Sequence, residues 1–173
     1  MGINTDNHIT LNIPEIHHTF LTQTFKNAQL QVTLSSNTFI PKREQSKFNI
    51  DKKEVDNFAL LTIEETGKNW VIEIKKVIRE LNAENFITFH LHFPAWKKIP
   101  VDFENQLNLL GFFFSGVIPH TPKNWWLNYT RLDNQKFDFD KVLTEGENAT
   151  QLRDYIKRCH NNAIELSDNQ FTK

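Results

Sequence analysis

The chain has 173 residues, 39% of them hydrophobic, which is enough to bury one sizeable core and too few for two. Its 20 Lys and Arg stand against 21 Asp and Glu, a formal net charge of -1, so no overall electrostatic drive toward nucleic acid or an anionic membrane exists. The single cysteine, Cys159, has no intramolecular disulfide partner, the chain does not open on an apolar run behind a basic segment, and no window approaches the roughly 18 apolar residues of a membrane span. These features predict a cytoplasmic protein that binds neither membrane nor nucleic acid.

In chain order, HITLNI (8–13) alternates Ile9, Leu11 and Ile13 with polar residues, a half-buried strand. Pro14 opens a helix in which Ile16, Phe20, Leu21, Phe25 and Ala28 recur at helical spacing, with His17 and His18 on its first turn. Between Leu30 and Asn57, QVTL and TFI read as two short strands joined to a charged, exposed stretch that includes PKREQSK. FALLTIEE (58–65) has a nearly continuous apolar core, as expected of a strand in the interior of a sheet. The turn TGKN leads into a helix over 70–81, where Trp70, Ile74, Val77, Ile78 and Leu81 share one face.

FITFHLHF (86–93) alternates strictly and is a strand, and strand, helix and strand at this spacing form a right-handed parallel crossover. VDFENQLNLL sets Phe103, Leu107 and Leu110 on a helical stripe that Gly111 ends in a left-handed turn. GFFFSGVIP (111–119) and WWLNYTRL are two further strands joined by HTPKN, with Gly116 placed for a bulge. Adjacent Trp125 and Trp126 must face opposite ways, one into the core and one toward a partner or dimer surface. Ala149, Leu152, Ile156 and Cys159 mark a last helix over 147–160, and 161–173 reads as a polar tail. The expectation is a single α/β domain over 1–160, built on a mixed sheet in the order β-α-β-β-β-α-β-α-β-β-α.

That order, together with Leu110, Gly111 and Phe112 at the end of a short helix before the next-to-last strand, resembles the GNAT superfamily of N-acetyltransferases. The GFFFSG segment, Pro14 with His17 and His18 after the first strand, and the Leu-containing strand after Pro119 most resemble the acyltransferase-like domains appended to anti-sigma-factor-type ATPase proteins. The resemblance covers residues 8–158. It implies transfer of an acyl group from acetyl-CoA or another acyl-CoA to a small-molecule or peptide amine. The pantetheine arm would lie between strands 58–65 and 86–93, against backbone such as that of Thr62 and Ile63, with the pyrophosphate at the turn Thr66, Gly67, Lys68, Asn69 and Trp70.

The chain departs from the family at two places. EETGKNW has one glycine where the family's phosphate loop has two small residues, and Leu107 stands where many members place a tyrosine acid. Tyr129 is the candidate replacement acid, or else a core tyrosine. Glu64 and Glu65, at the end of a central strand, and His90 and His92, on one face of its neighbour, are the candidate bases. For His90 and His92 the alternative is a hydrogen-bonded pair on a partly buried sheet, and without a third ligand they do not make a metal site. Gly67 can equally be an ordinary turn glycine, which leaves a second expectation open: a non-catalytic module with a degenerate coenzyme A site that binds a ligand or a protein partner.

Overall fold

The computed structural model describes residues 8–169. Nine strands and four helices follow one another there as β1 (Ile9–Asn12), α1 (His18–Asn27), β2 (Val32–Ser35), β3 (Thr38–Phe39), β4 (Lys47–Lys53), β5 (Phe58–Glu65), α2 (Trp70–Ala83), β6 (Thr88–Pro94), β7 (Ile99–Pro100), α3 (Phe103–Leu109), β8 (Phe113–Pro119), β9 (Trp125–Leu132) and α4 (Glu147–Asp168). Single 3₁₀ turns stand at Glu15–His17, Glu54–Asp56 and Phe139–Lys141.

The main sheet has five strands in the order β4-β5-β6-β9-β8, mixed because only β5 and β6 run parallel. Two small parallel ladders, β1 with β2 and β3 with β7, complete the strand pairing. The strong strand at 58–65 is an interior strand with a neighbour on each side, as its apolar run demands.

Alternation along the strands explains the core. Ala59, Leu61 and Ile63 of β5, Phe89, Leu91 and Phe93 of β6, and Leu127 and Tyr129 of β9 are all buried on one face. With Leu21 and Phe25 of α1, Ile74 and Leu81 of α2, and Phe103 and Leu107 of α3 they form one cluster. Aromatic rings tie the layers together: Trp70 stacks on Phe103, and Phe103 meets both Phe93 and Tyr129 edge-on or tilted. The alternate residues Leu60, Thr62, His90, His92 and Asn128 are half-buried on the other face.

Two elements correct the expected order. β4 lies inside a stretch too charged to read as a strand, because it is the sheet's edge: it pairs with β5 alone, and lysines at an edge discourage pairing with another chain. β7 is a two-residue ladder with no periodicity to detect. A third correction concerns the tail, since α4 continues past residue 160 to Asp168 and buries Ala163. Residues 170–173 of that expected tail lie outside the described residues.

The turn after α3 is a closed Schellman cap. Phe112 N–H donates to Leu107 O at 2.9 Å, Gly111 N–H donates to Asn108 O at 2.9 Å, and Gly111 sits at φ +82°. A side chain at Gly111 would bring its Cβ to 3.0 Å from Arg131 Nη1. Gly111→Ala is therefore expected to cost about 1–2 kcal/mol, read from the urea midpoint. Five residues on, the β8–β9 register slips between Phe114 and Gly116, a bulge that turns Ser115 toward Asn128 and Thr130.

Candidate functional site

β5 and β6 part company before either ends. Their ladder runs from Phe58–Thr88 to Thr62–His92, yet β5 continues to Glu65 and β6 to Pro94. The fork opens into a cleft of about 310 Å³ lined by Ile63, Glu64, Glu65 and Thr66 on one side and Phe93, Pro94, Lys97 and Lys98 on the other, with Phe39 and Arg43 at its margin. Backbone that leaves a ladder must find other partners or stay available; here Lys97 Nζ reaches Glu64 O at 3.3 Å. Walls of Phe39, Ile63 and Phe93 with cationic Arg43, Lys97 and Lys98 suit a ligand with an apolar or amide stem and an anionic end.

Each residue singled out in the sequence has a place relative to this fork. Thr62 stands on the last rung and Ile63 on the wall, buried. Glu64 and Glu65 also border the cleft, each paired with a cation: Glu64 with Lys47 at 3.0 Å, and Glu65 with Arg43. Both pairs are exposed and contribute little to stability.

The turn before α2 is filled from within. Gly67 N–H donates to Ser46 Oγ at 2.8 Å and Lys68 N–H to Arg43 O at 2.9 Å, while Asn69 Oδ1 accepts from Ser46 N–H at 2.9 Å. A Cβ at Gly67 would collide with the backbone of Gln45. Gly67 thus admits the chain's own loop 43–46 to the amides that the resemblance reserves for a pyrophosphate. Lys68 pairs with Glu44, and Trp70 points into the core.

His90 and His92 lie on the half-buried sheet face, His92 on the rung where the fork begins. His90 Nδ1 meets Thr130 Oγ1 at 3.1 Å, that hydroxyl meets Ser115 Oγ at 2.8 Å, and Ser115 Oγ accepts from Asn128 Nδ2 at 2.8 Å. Trp126 stacks near His92 and packs against Trp96 and His120, whereas Trp125 is buried against Phe25. Among the described residues no group of three or more His, Cys, Asp or Glu is arranged to hold a metal ion.

Burial pushes the imidazoles of His90 and His92 below the usual histidine range. Unfolded histidines take up a proton near pH 6.5, so unfolding of this chain consumes protons at these two positions. Their contribution to stability is present above about pH 6.5 and is lost as the pH falls through the folded-state values. The paired variant His90→Gln with His92→Gln is expected to flatten that acid-side loss in urea titrations between about pH 7 and 5.

The most extensive polar cluster is elsewhere, inside the core. His17, in the turn that leads into α1, is 2% exposed and stacks on Phe114 with ring centroids 4.1 Å apart. Its Nε2 meets Glu104 Oε1 at 2.9 Å and its Nδ1 meets the Tyr155 hydroxyl. Tyr129, wholly buried, donates its hydroxyl to Glu104 Oε2. It therefore does not reach the cleft.

Burial, with the Glu104 carboxylate beside it, holds the Tyr129 phenol far above its ordinary value, so it remains a donor. Tyr155 is pushed up by burial, and the Cys159 thiol next to it to about 12. Burial thus disfavours the thiolate, the nucleophilic form of Cys159.

Glu104, at 18% side-chain exposure, looks onto a second cavity of about 510 Å³. Pro14, Ile16, Ile99, Pro100 and Phe103 supply apolar wall there, and Glu15 and Asp102 supply two further carboxylates. Thr38 borders this cavity and Phe39 the cleft, so the β3–β7 ladder is the wall between them.

Sequence reading passed over Glu104 and placed His17 on the first turn of its helix without a partner. One signal was present: Glu104 stands three residues before Leu107, at the edge of the apolar stripe of its helix. No helix among the described residues is long and apolar enough to cross a membrane. Set against known proteins, the chain matches no family model, no curated protein and no solved structure.

Proposed function

We propose that the protein is a GNAT-like acyltransferase that takes an acyl-CoA in the fork between β5 and β6 and passes the acyl group to an amine. The observation that carries this reading is the early end of the β5–β6 ladder at Thr62–His92, with both strands running on around a cleft. A parallel pair that closed to its ends would leave no room for a pantetheine arm. In the fork, backbone of Ile63 to Glu65 faces the arm and can exchange hydrogen bonds with its amides, as a neighbouring strand would.

The anionic end fits less conventionally. The amides of Gly67 and Lys68 are committed to loop 43–46, so the phosphates fall to the side chains at the cleft margin, Lys97 and Lys98. Isothermal titration with acetyl-CoA and longer acyl-CoAs is expected to show saturable binding. Lys97→Glu and Lys98→Glu are each expected to weaken it by about fivefold, while leaving acetyl-pantetheine unaffected. A protein that binds none of these at millimolar ligand refutes the reading.

The filled turn before α2 favours one alternative, a non-catalytic module of the same fold in which the coenzyme site has closed. The two separate cleanly: the module shows no acyl-CoA-dependent consumption of any amine, whereas the transferase releases free coenzyme A thiol in proportion to amine acylated.

A further inference from the structure

We propose that Glu104, held from behind by His17 and Tyr129, is the base that deprotonates the acceptor, and that the cavity in front of it takes a primary amine on an apolar stem. This rests on the acyl-transfer reading and supplies what the fork lacks. Glu64 and Glu65 border the fork but are exposed and spent on Lys47 and Arg43. His90 and His92 belong to the opposite sheet face.

Glu104 meets the geometric demands on a base. Its carboxylate is fixed by two buried donors, the Nε2–H of His17 and the hydroxyl of Tyr129, one on each oxygen. Each oxygen keeps a lone pair, and the side chain opens on a cavity large enough for a small amine. Charged groups are expensive to hold near a core, and a carboxylate fixed this firmly beside a cavity is pre-organised rather than free to swing away.

The cavity and the cleft are neighbours. Phe103 on the cavity wall and Phe93 on the cleft wall stand with ring centroids 4.8 Å apart, and the ladder that completes the wall is two residues long. For the acyl carbonyl to meet the amine it has to pass this two-residue ladder, Thr38–Phe39 against Ile99–Pro100.

The reaction then balances as follows. Glu104 takes one proton from the ammonium group, and the neutral amine attacks the thioester carbonyl. A C–N bond forms as the C–S bond breaks. The second amine proton goes to the departing thiolate, giving the free thiol, and the proton on Glu104 is released to solvent.

His17 and Tyr129 touch no substrate and are positioning residues. The titratable groups that face Glu104 are His17 from the lead-in to α1, Tyr129 from β9, Tyr155 and Cys159 from α4, and Glu15 and Asp102 across the cavity.

The test uses the full chain with n-butylamine as acceptor probe, n-butanol as its neutral counterpart and acetyl-CoA as donor. Butylamine is expected to shift backbone NMR resonances of residues 102–108 and 14–16, and butanol to leave them in place. Glu104→Gln, checked for folding by its near-UV spectrum, is expected to bind acetyl-CoA as the native chain does. It should lose at least about a hundredfold in turnover and the rising limb of the pH–rate profile. Glu104→Asp should recover part of both, and His17→Gln should displace the limb.

Native turnover or an unchanged pH profile in folded Glu104→Gln overturns the assignment. So does a native chain that binds acetyl-CoA while butylamine leaves the cavity resonances unmoved. Failure of the native chain to bind acetyl-CoA at all is a different result: it removes the acyl-transfer reading, and the base role with it.

Discussion

Glu104→Ala is expected to lower the free energy of unfolding by about 3 kcal/mol, measured by urea denaturation at neutral pH. The size follows from what is left behind. The alanine carries no acceptor, so the Nε2–H of His17 and the hydroxyl of Tyr129 lose their partner in places water does not reach, at 2% and 0% exposure. Each stranded donor costs on the order of 1–3 kcal/mol, and the partial access of Glu104 itself moderates the total. Glu104→Gln keeps an oxygen that accepts from one of the two donors and should recover about half of the loss. An alanine variant within about 0.5 kcal/mol of the native chain would mean that the cluster is hydrated and not a fixed unit.

The second large effect belongs to the last phenylalanine of GFFFSG. Phe114→Ala is expected to cost about 3–5 kcal/mol. Phe114 is wholly buried, stacks on His17 and meets Tyr129 and Tyr155 edge-on, so its ring is the apolar floor on which the polar cluster rests. Truncation opens a void and loosens His17 at once. For a domain whose total stability lies in the range of about 5–15 kcal/mol, that is a large fraction. Phe113 faces the other way, toward His160 and Phe139, so Phe113→Ala should leave the resonances of His17 unmoved while Phe114→Ala shifts them.

How much was legible in advance depended on how local the cause was. α2 and β6 could be read because their burial repeats along the chain, every third or fourth residue in the helix and every second in the strand, and β5 because its apolar run is nearly continuous. The left-handed Gly111 and the bulge near Gly116 were readable for a similar reason, since glycine is the residue those backbones favour. β4 was not, because an edge strand of charged residues has no buried face to betray it.

The fork and the buried cluster could not be read at all. A fork is a place where pairing stops, and pairing leaves no mark on either strand alone. His17 and Glu104 are 87 positions apart and His17 and Tyr155 are 138 apart, distances that only the fold closes. The turn before α2 shows the converse. Its glycine suggested room for a phosphate, but that room is taken by the backbone of Gln45, a residue whose own stretch of sequence had no readable structure.

If acyl-CoA is the donor, the fork between β5 and β6 has to be a binding slot. Backbone NMR of the full chain titrated with acetyl-CoA examines that directly. Saturable shifts are expected to concentrate on residues 63–66 and 93–98, on the two walls where the β5–β6 ladder has ended. An unchanged spectrum at saturating ligand, or shifts gathered instead around His92, Trp96 and Trp126 on the half-buried sheet face, would contradict it.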